Sequence, residues 1–211
     1  MTKVILAALL FSVATMPARA QDEARDKLAS LVDGRMEQVV HALNSLAADP
    51  KVQSADWDAV KPVLADAQAA GPKGTYWFAW PDGNYCTVDK GLVGQSLSDR
   101  PYFSVVMGGK KVIGELVVSK STGRKAIVLT VPVFAQGLVV GAVGASLFAE
   151  EFSAALAEDL ELPEGSAFFA INAENTAAVH TDPARLFEGL SVDGIETVTS
   201  PLTGWRIGIQ R

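Results

Sequence analysis

The sequence predicts an α+β protein, with a long N-terminal helix packed on an antiparallel sheet and a second, smaller sheet module after it. Three observations carry this. Apolar residues between 22 and 48 recur at three- and four-residue spacings. From Thr75 to Phe148 the period changes to two, with tight turns between the runs. Short strand-like runs return after one more helical stretch near residues 150–160.

The first twenty of the 211 residues read as a cleaved signal peptide. Lys3 supplies a positive start, Val4 to Met16 is almost wholly apolar, and Ala18-Arg19-Ala20 has the small-x-small cleavage pattern. That run is shorter than the roughly 20 residues of a bilayer span. No cysteine follows it to carry a lipid anchor, so cleavage is expected before Gln21. The most apolar later stretch, Leu138 to Ala149, is short and broken by Gly141 and Gly144, so no membrane span is expected. The remainder reads as soluble and exported, either periplasmic or secreted.

Loss of Lys3 and Arg19 with the leader takes the net charge from −6 to −8. An acidic chain is a poor partner for nucleic acid or an anionic membrane surface, both of which reward a basic face. A single local arginine can still hold a small anion. Cys86 is the only cysteine, so no internal disulfide is possible. Its strand-like setting, Asn84 to Val88, suits a small buried hydrophobe.

Asp22 to Ala48 reads as one helix, with Leu28, Leu31, Val32, Met36, Val39, Leu43 and Leu46 on one face. At 1.5 Å per residue it is a rod of roughly 40 Å. That exceeds one small sheet, so it either lies along two packed units or pairs two chains as a homodimer. Asp49-Pro50 is expected to close it. A second helix is expected from Ser54, as cap, to Ala69, with Trp57, Val60, Leu64 and Ala67 inward and Pro62 kinking or splitting it. Gly71 to Gly74 ends the helical region.

Strands are expected at Tyr76–Trp80, Asn84–Asp89, Val112–Ser119, Lys125–Phe134 and Leu138–Phe148, the last three as an antiparallel meander. Ser98 to Lys111 lies between the first pair and the meander and should be a loop with a short helix crossing one face of the sheet. Glu150 to Leu160 is a further helix. The rest is a second set of strands at Ser166–Asn172, Thr176–Thr181, Glu196–Thr199 and Trp205–Gln210, with one helical turn near Pro183 to Phe187.

The stretch Tyr76 to Phe103 holds the candidate chemistry. Ser98-Asp99-Arg100-Pro101-Tyr102-Phe103 places an arginine beside two aromatics on a loop. A guanidinium offers a planar, always-charged fork of donors, and the rings supply walls that exclude water. The plainer alternative pairs Arg100 with Asp99 or another surface acid and packs Tyr102 and Phe103 in the core. Trp77 and Trp80 differ in strand parity and should face opposite sides of the sheet. Lys110-Lys111, Lys120 and Arg124 read as solvated turns that could add positive field.

The order of elements and these motifs resemble the Cache (PDC) extracellular sensor domains of bacterial receptors. The matching pieces are the long helix, Tyr76 to Gly83, Ser98 to Phe103, Val117 to Arg124, Val131-Pro132-Val133, and Gly141 to Leu147. The tail pieces Phe168 to Pro183 and Thr203 to Ile207 resemble an abbreviated second module of the double-Cache form. The resemblance implies a PAS-like antiparallel sheet flanked by helices, with a small-ligand pocket in the membrane-distal-type module. It divides the chain into a leader (1–20), a helical stalk with that module (21–149), and the second module (150–211).

In Cache domains that take amino acids, an arginine and two aromatics hold the ligand carboxylate, and Arg100, Tyr102 and Phe103 align with those three. Such domains also place an aspartate on the last meander strand to meet the ligand ammonium. Ser146 stands at that position here, and a hydroxyl cannot supply that charge pairing. The implied ligand is therefore a small carboxylate, or another anion or polar metabolite, with Trp77, Tyr85, Thr130 and Ser146 as further ligand-binding candidates. Family members usually continue into a transmembrane helix and signalling domain, so a chain ending at Arg211 reads as a free-standing form.

Catalysis and metal binding find no foothold in the sequence. The two histidines, His41 and His180, are far apart, no Gly-x-Ser-x-Gly elbow occurs, and one cysteine gives no metal cluster. Gly137, Gly141 and Gly144 fall within a β-branched strand rather than a strand-to-helix turn, so they form no nucleotide loop. The expectation is a non-enzymatic binding protein without cofactor or metal. A ligand-free interaction module regulating a membrane receptor or transporter is the alternative, and a pocket too small for any metabolite would favour it. A periplasmic hydrolase would need a catalytic group of a kind the sequence does not display.

Overall fold

The computed structural model describes residues 18–162 and 165–210. The signal-peptide residues 1–17 therefore lie outside the described residues. Helix α1 runs Ala18–Ala48 and so begins before Gln21, with Ala18 to Ala20 forming its first turn. Its apolar stripe, Leu28, Val32, Met36, Val39, Leu43 and Leu46, is buried as the spacing predicts.

The next helix differs from expectation. Asp49 opens helix α2 (Pro50–Gln53), its carboxylate accepting from the Lys51 N–H and Pro50 standing at the first helical position. Ser54 ends α2, and Ala55 turns the chain with φ 54°. Asp56, not Ser54, then caps helix α3 (Trp57–Ala70) by accepting from Asp58 N–H. Pro62 sits within α3 without splitting it.

The larger sheet has six strands: β1 (Gly74–Ala79), β2 (Tyr85–Thr87), β3 (Gly91–Leu92), β4 (Val112–Val118), β5 (Lys125–Ala135) and β6 (Leu138–Phe148). Their order is β3-β2-β1-β6-β5-β4, antiparallel throughout, with β4, β5 and β6 forming the expected meander. The short β3 was not expected. Helix α4 (Pro101–Met107) fills the connection before β4.

Strand alternation divides this sheet into two faces. Tyr76, Phe78, Ile127, Leu129, Val143 and Leu147 join α1 and α3 in the main core. Trp77, Ala79, Val128 and Ala142 face α4 instead and pack with Tyr85, Leu97, Tyr102, Phe103 and Val106. Trp80 lies on the side opposite Trp77, edge-on to Phe78, with its indole N–H donating to Ala55 O at 2.9 Å.

Helix α5 (Ala149–Leu160) leads to the second sheet: β7 (Ala167–Ile171), β8 (Ala177–His180), β9 (Thr197–Thr199) and β10 (Arg206–Gln210), in the order β8-β7-β10-β9. A 3₁₀ turn at Pro183–Arg185 follows β8. The inner face of this sheet, with Phe168, Ala170, Ile207 and Ile209, enters the same core as α1. Its outer face is covered by the long connection before β9, where Leu190, Val192 and Ile195 meet Phe169, Ile171 and Ala177. A bulge on β4 at Gly114 (φ 85°) receives Trp205, since a Cβ there would lie 3.0 Å from the indole. No helix among the described residues is long and apolar enough to cross a membrane.

Candidate ligand-binding recess

A recess opens on the α4 face of the larger sheet. Trp77 from β1, Tyr85 from β2 and Ser146 from β6 form its floor, Tyr102 from α4 one wall, and Arg100 and Lys120 its mouth. Strand parity explains the floor: Trp77 and Ser146 are on adjacent strands and point to the same side. Pro101 at the first position of α4 starts the helix directly after Arg100, so the arginine stays on the loop and Tyr102 turns inward.

The floor is tightly held. Trp77 Nε1–H donates to Ser146 Oγ at 3.0 Å, and the Trp77 and Tyr102 rings lie 6.5 Å apart with a 38° tilt. Ser119 and Ser121, both buried, share a hydroxyl contact of 3.1 Å. The Tyr85 and Tyr102 phenols are both pushed up by burial; the neighbouring Ser121 opposes this at Tyr85, and the Arg100 charge opposes it at both. Both therefore stay neutral donors at physiological pH.

The mouth carries two cations. Arg100 Nη2 donates to Val118 O at 2.7 Å, and Lys120 Nζ donates to Ser96 O at 2.6 Å and to the Asp99 carboxylate. That bond to Lys120 is the main reason the exposed Asp99 carboxyl titrates below its usual range. These contacts tie the loop before α4 to the β4–β5 turn, across the mouth. The recess measures about 20 Å³, room for one water molecule, so a larger occupant needs the mouth to widen.

Five of the seven residues singled out in the sequence converge here: Arg100, Tyr102, Trp77, Tyr85 and Ser146. Phe103 and Thr130 do not line the recess. Phe103 is one helical step from Tyr102, about 100° around α4, and packs in the cluster behind it. Thr130 is buried on β5 and donates its hydroxyl to Val143 O at 2.9 Å. Leu97, Val117, Ser119, Lys120 and Ser121 also line the recess. For Lys120 the sequence carried only a small basic group, and the two serines look like ordinary turn residues.

Arg124 belongs elsewhere: it pairs with Glu151 and lies 3.8 Å over the Phe148 ring. His41 is exposed on α1. His180 is buried at the end of β8, its Nδ1 accepting from Asp182 N–H at 2.9 Å. Among the described residues no group of three or more His, Cys, Asp or Glu side chains is placed to hold a metal ion.

Comparison with solved structures decides the fold. The ligand-binding domain of the Pseudomonas fluorescens chemoreceptor CtaA, in complex with L-valine, superposes with a TM-score of 0.74 at 15% identity, covering 90% of this chain and 94% of that one. The sensor domain of the V. cholerae histidine kinase DctB gives 0.66 at 16% identity, over 82% and 70%. The sensory domain of a Campylobacter jejuni chemoreceptor with isoleucine bound gives 0.67 at 10% identity, over 91% of each.

The chain has the Cache-type fold of these domains.

No family model matches the sequence, and no curated protein matches it either. The likeness is thus one of architecture, shared with these domains in the long helix, the larger sheet and the smaller second sheet. The recess occupies the α4 face of the larger sheet. Among the described residues no carboxylate lines it, and Asp99, next to Arg100, is engaged by Lys120.

Proposed function

We propose that this chain is a sensor-type ligand-binding protein whose recess takes a small anion, with a carboxylate the best fit. The observation that carries the reading is the pairing of Arg100 and Lys120 at the mouth of a recess lined by hydroxyls and aromatic rings and, among the described residues, by no acid. The Arg100 fork meets the anion in exchange for the Val118 carbonyl, and charged partners make the stronger hydrogen bonds. Lys120 adds a second positive charge. Tyr102 and Tyr85 offer neutral O–H donors, and Trp77 closes the apolar side. Ser146 is already bonded to Trp77, which disfavours the ammonium of an α-amino acid. The Cache-fold neighbours crystallised with valine or isoleucine support small-molecule binding in general.

The reading includes export. The leader at 1–20 directs the chain to the periplasm or outside the cell, and the bound state is read by a receptor or transporter partner. Mass measurement of the secreted protein tests cleavage before Gln21.

The deciding experiment is a thermal-shift screen of the purified protein against organic acids, amino acids, purines and amines. A binder at a hundred times its dissociation constant stabilises by about 2.7 kcal/mol. The expected result is a carboxylate hit that Arg100→Ala abolishes while unliganded unfolding stays within a few degrees of wild type. A hit that Arg100→Ala leaves at equal affinity overturns the assignment.

The narrowness of the recess, about 20 Å³, favours a second reading: a ligand-free module that regulates a membrane receptor or transporter. An empty screen moves the weight to that reading.

A further inference from the structure

A second cleft lies on the opposite face of the larger sheet, between α1 and α3. It measures about 160 Å³ and is walled by Val39, Ala42, Ala67 and Ala70, with Tyr76 at its base. Tyr76 and Trp77 are consecutive on β1, so this cleft and the anion recess are back to back.

The Tyr76 hydroxyl points to a ligand. The residue is 1% exposed and its backbone N–H is bonded to Gln68 Oε1, while its hydroxyl, which makes no hydrogen bond to the described residues and is not one of their enclosed polar atoms, opens into the cleft. The phenol ring is held in the core and the hydroxyl is left as a donor facing the cleft. Gly71 shows that the hydroxyl's position is built in. Its backbone, φ −92° and ψ 178°, is one any residue adopts, but a Cβ there would stand 2.1 Å from Tyr76 Oη. The glycine makes room for the phenol rather than for the turn.

The chemistry of the walls sets the class of occupant. No charged side chain lines the cleft, so a buried ion would go uncompensated. An engineered apolar cavity of about 150 Å³ takes a benzene ring, which is the scale of this one. The Gln38 amide at the mouth adds a neutral polar group. We propose that this cleft is a second small-molecule site, taking an uncharged ligand with an apolar body about the size of one ring and an oxygen that accepts from the Tyr76 hydroxyl. It is independent of the anion reading.

Phenol and benzene are suitable probes, followed by backbone amide NMR on the whole protein. Both should give saturable shifts confined to residues 38–42 and 67–76. Tyr76→Phe should weaken phenol about tenfold, the scale of one hydrogen bond, and leave benzene unchanged. Ala42→Leu should fill the cleft and abolish both responses. Shifts that fail to saturate by about 10 mM overturn the proposal, since that corresponds to no useful affinity. So do shifts that survive Ala42→Leu, or a phenol affinity untouched by Tyr76→Phe. Concentration-dependent self-association affecting the same residues assigns the cleft to a second copy and likewise overturns it.

Discussion

The Trp77 indole N–H and the Ser146 hydroxyl form a buried hydrogen bond of 3.0 Å across neighbouring strands. In register, Trp77 is opposite Gly144 and Thr75 is opposite Ser146, so the indole reaches diagonally to its acceptor. Its ring lies on Gly144, where a Cβ would come within 2.2 Å of Trp77 Cζ2. A serine and a glycine two residues apart on β6 thus hold one large side chain flat along the floor of the recess.

Ser146→Ala removes the acceptor and leaves Nε1–H buried without a partner, at a cost of about 1–3 kcal/mol. For a chain of this size each such unit lowers the melting temperature by roughly 2–4 °C. Thermal unfolding of the variant measures it, and an unchanged midpoint would count against the bond.

Gly144→Ala acts on the same indole from below. The added methyl has nowhere to go unless the ring lifts, and overpacking of this kind costs about 1–3 kcal/mol. A changed near-UV circular dichroism spectrum, together with a lower melting temperature, is the expected pair of results.

His180 makes stability depend on pH below neutrality. Burial first, and Arg185 second, lower its pKa from the usual 6.5, while the negative charge of Asp182 acts in the opposite direction. Between the folded and unfolded values the unfolded chain holds a proton that the folded chain lacks. The contribution is therefore complete above about pH 6.5 and lost as pH falls toward the folded value. Denaturation midpoints at about pH 7.5 and about pH 5.5 should differ less in His180→Gln than in wild type.

Glu115 has the reverse sign. Burial, and then the neighbouring Glu174, raise its pKa, so its ionised form costs stability at neutral pH. Relative to the unfolded chain, the favourable part is present below about pH 4.5 and is lost as pH rises through the folded value. Glu115→Gln should raise the melting temperature at neutral pH, and the gain should vanish below about pH 4.

Cys86 is buried in β2 opposite Phe78, and burial pushes its thiol pKa up. A thiol reagent should label it only at the rate of unfolding. Rapid labelling of the native protein would contradict this.

What the sequence made legible follows from how local each feature is. The stripe of α1, the meander β4 to β6 and the short helix after Arg100 are written in periodicity and turn residues. Strand β3 is two residues long and exists only through its pairing with β2, which no local pattern encodes. Asp49-Pro50 looks like a helix end, but the same pair is a good helix start. Pro62 leaves α3 unbroken because the helix is anchored to the core by Val60 and Leu64.

The recess was legible to the extent that strand parity and a helix start fix direction. Trp77, Ser146, Arg100 and Tyr102 follow from those rules. Phe103 does not, since adjacent residues on a helix cannot share a narrow wall. Thr130 has the right parity, but its hydroxyl is spent on a backbone carbonyl. Ser119, Lys120 and Ser121 reach the recess because the β4–β5 turn folds over it, a long-range event with no local signature.

The seven buried side chains from Leu28 to Leu46 on α1 join a cluster that takes in Ile127 and Leu129 of one sheet and Phe168 and Ile207 of the other. The largest apolar cluster is common to both sheets, and the clusters on their outer faces are smaller. Heat should therefore take the chain apart in one cooperative step, and amide protons of both sheets should exchange at a common, slowest rate. A fragment ending near residue 149 would leave part of that helix face wet, and would be expected to behave as a loosened chain rather than a smaller domain.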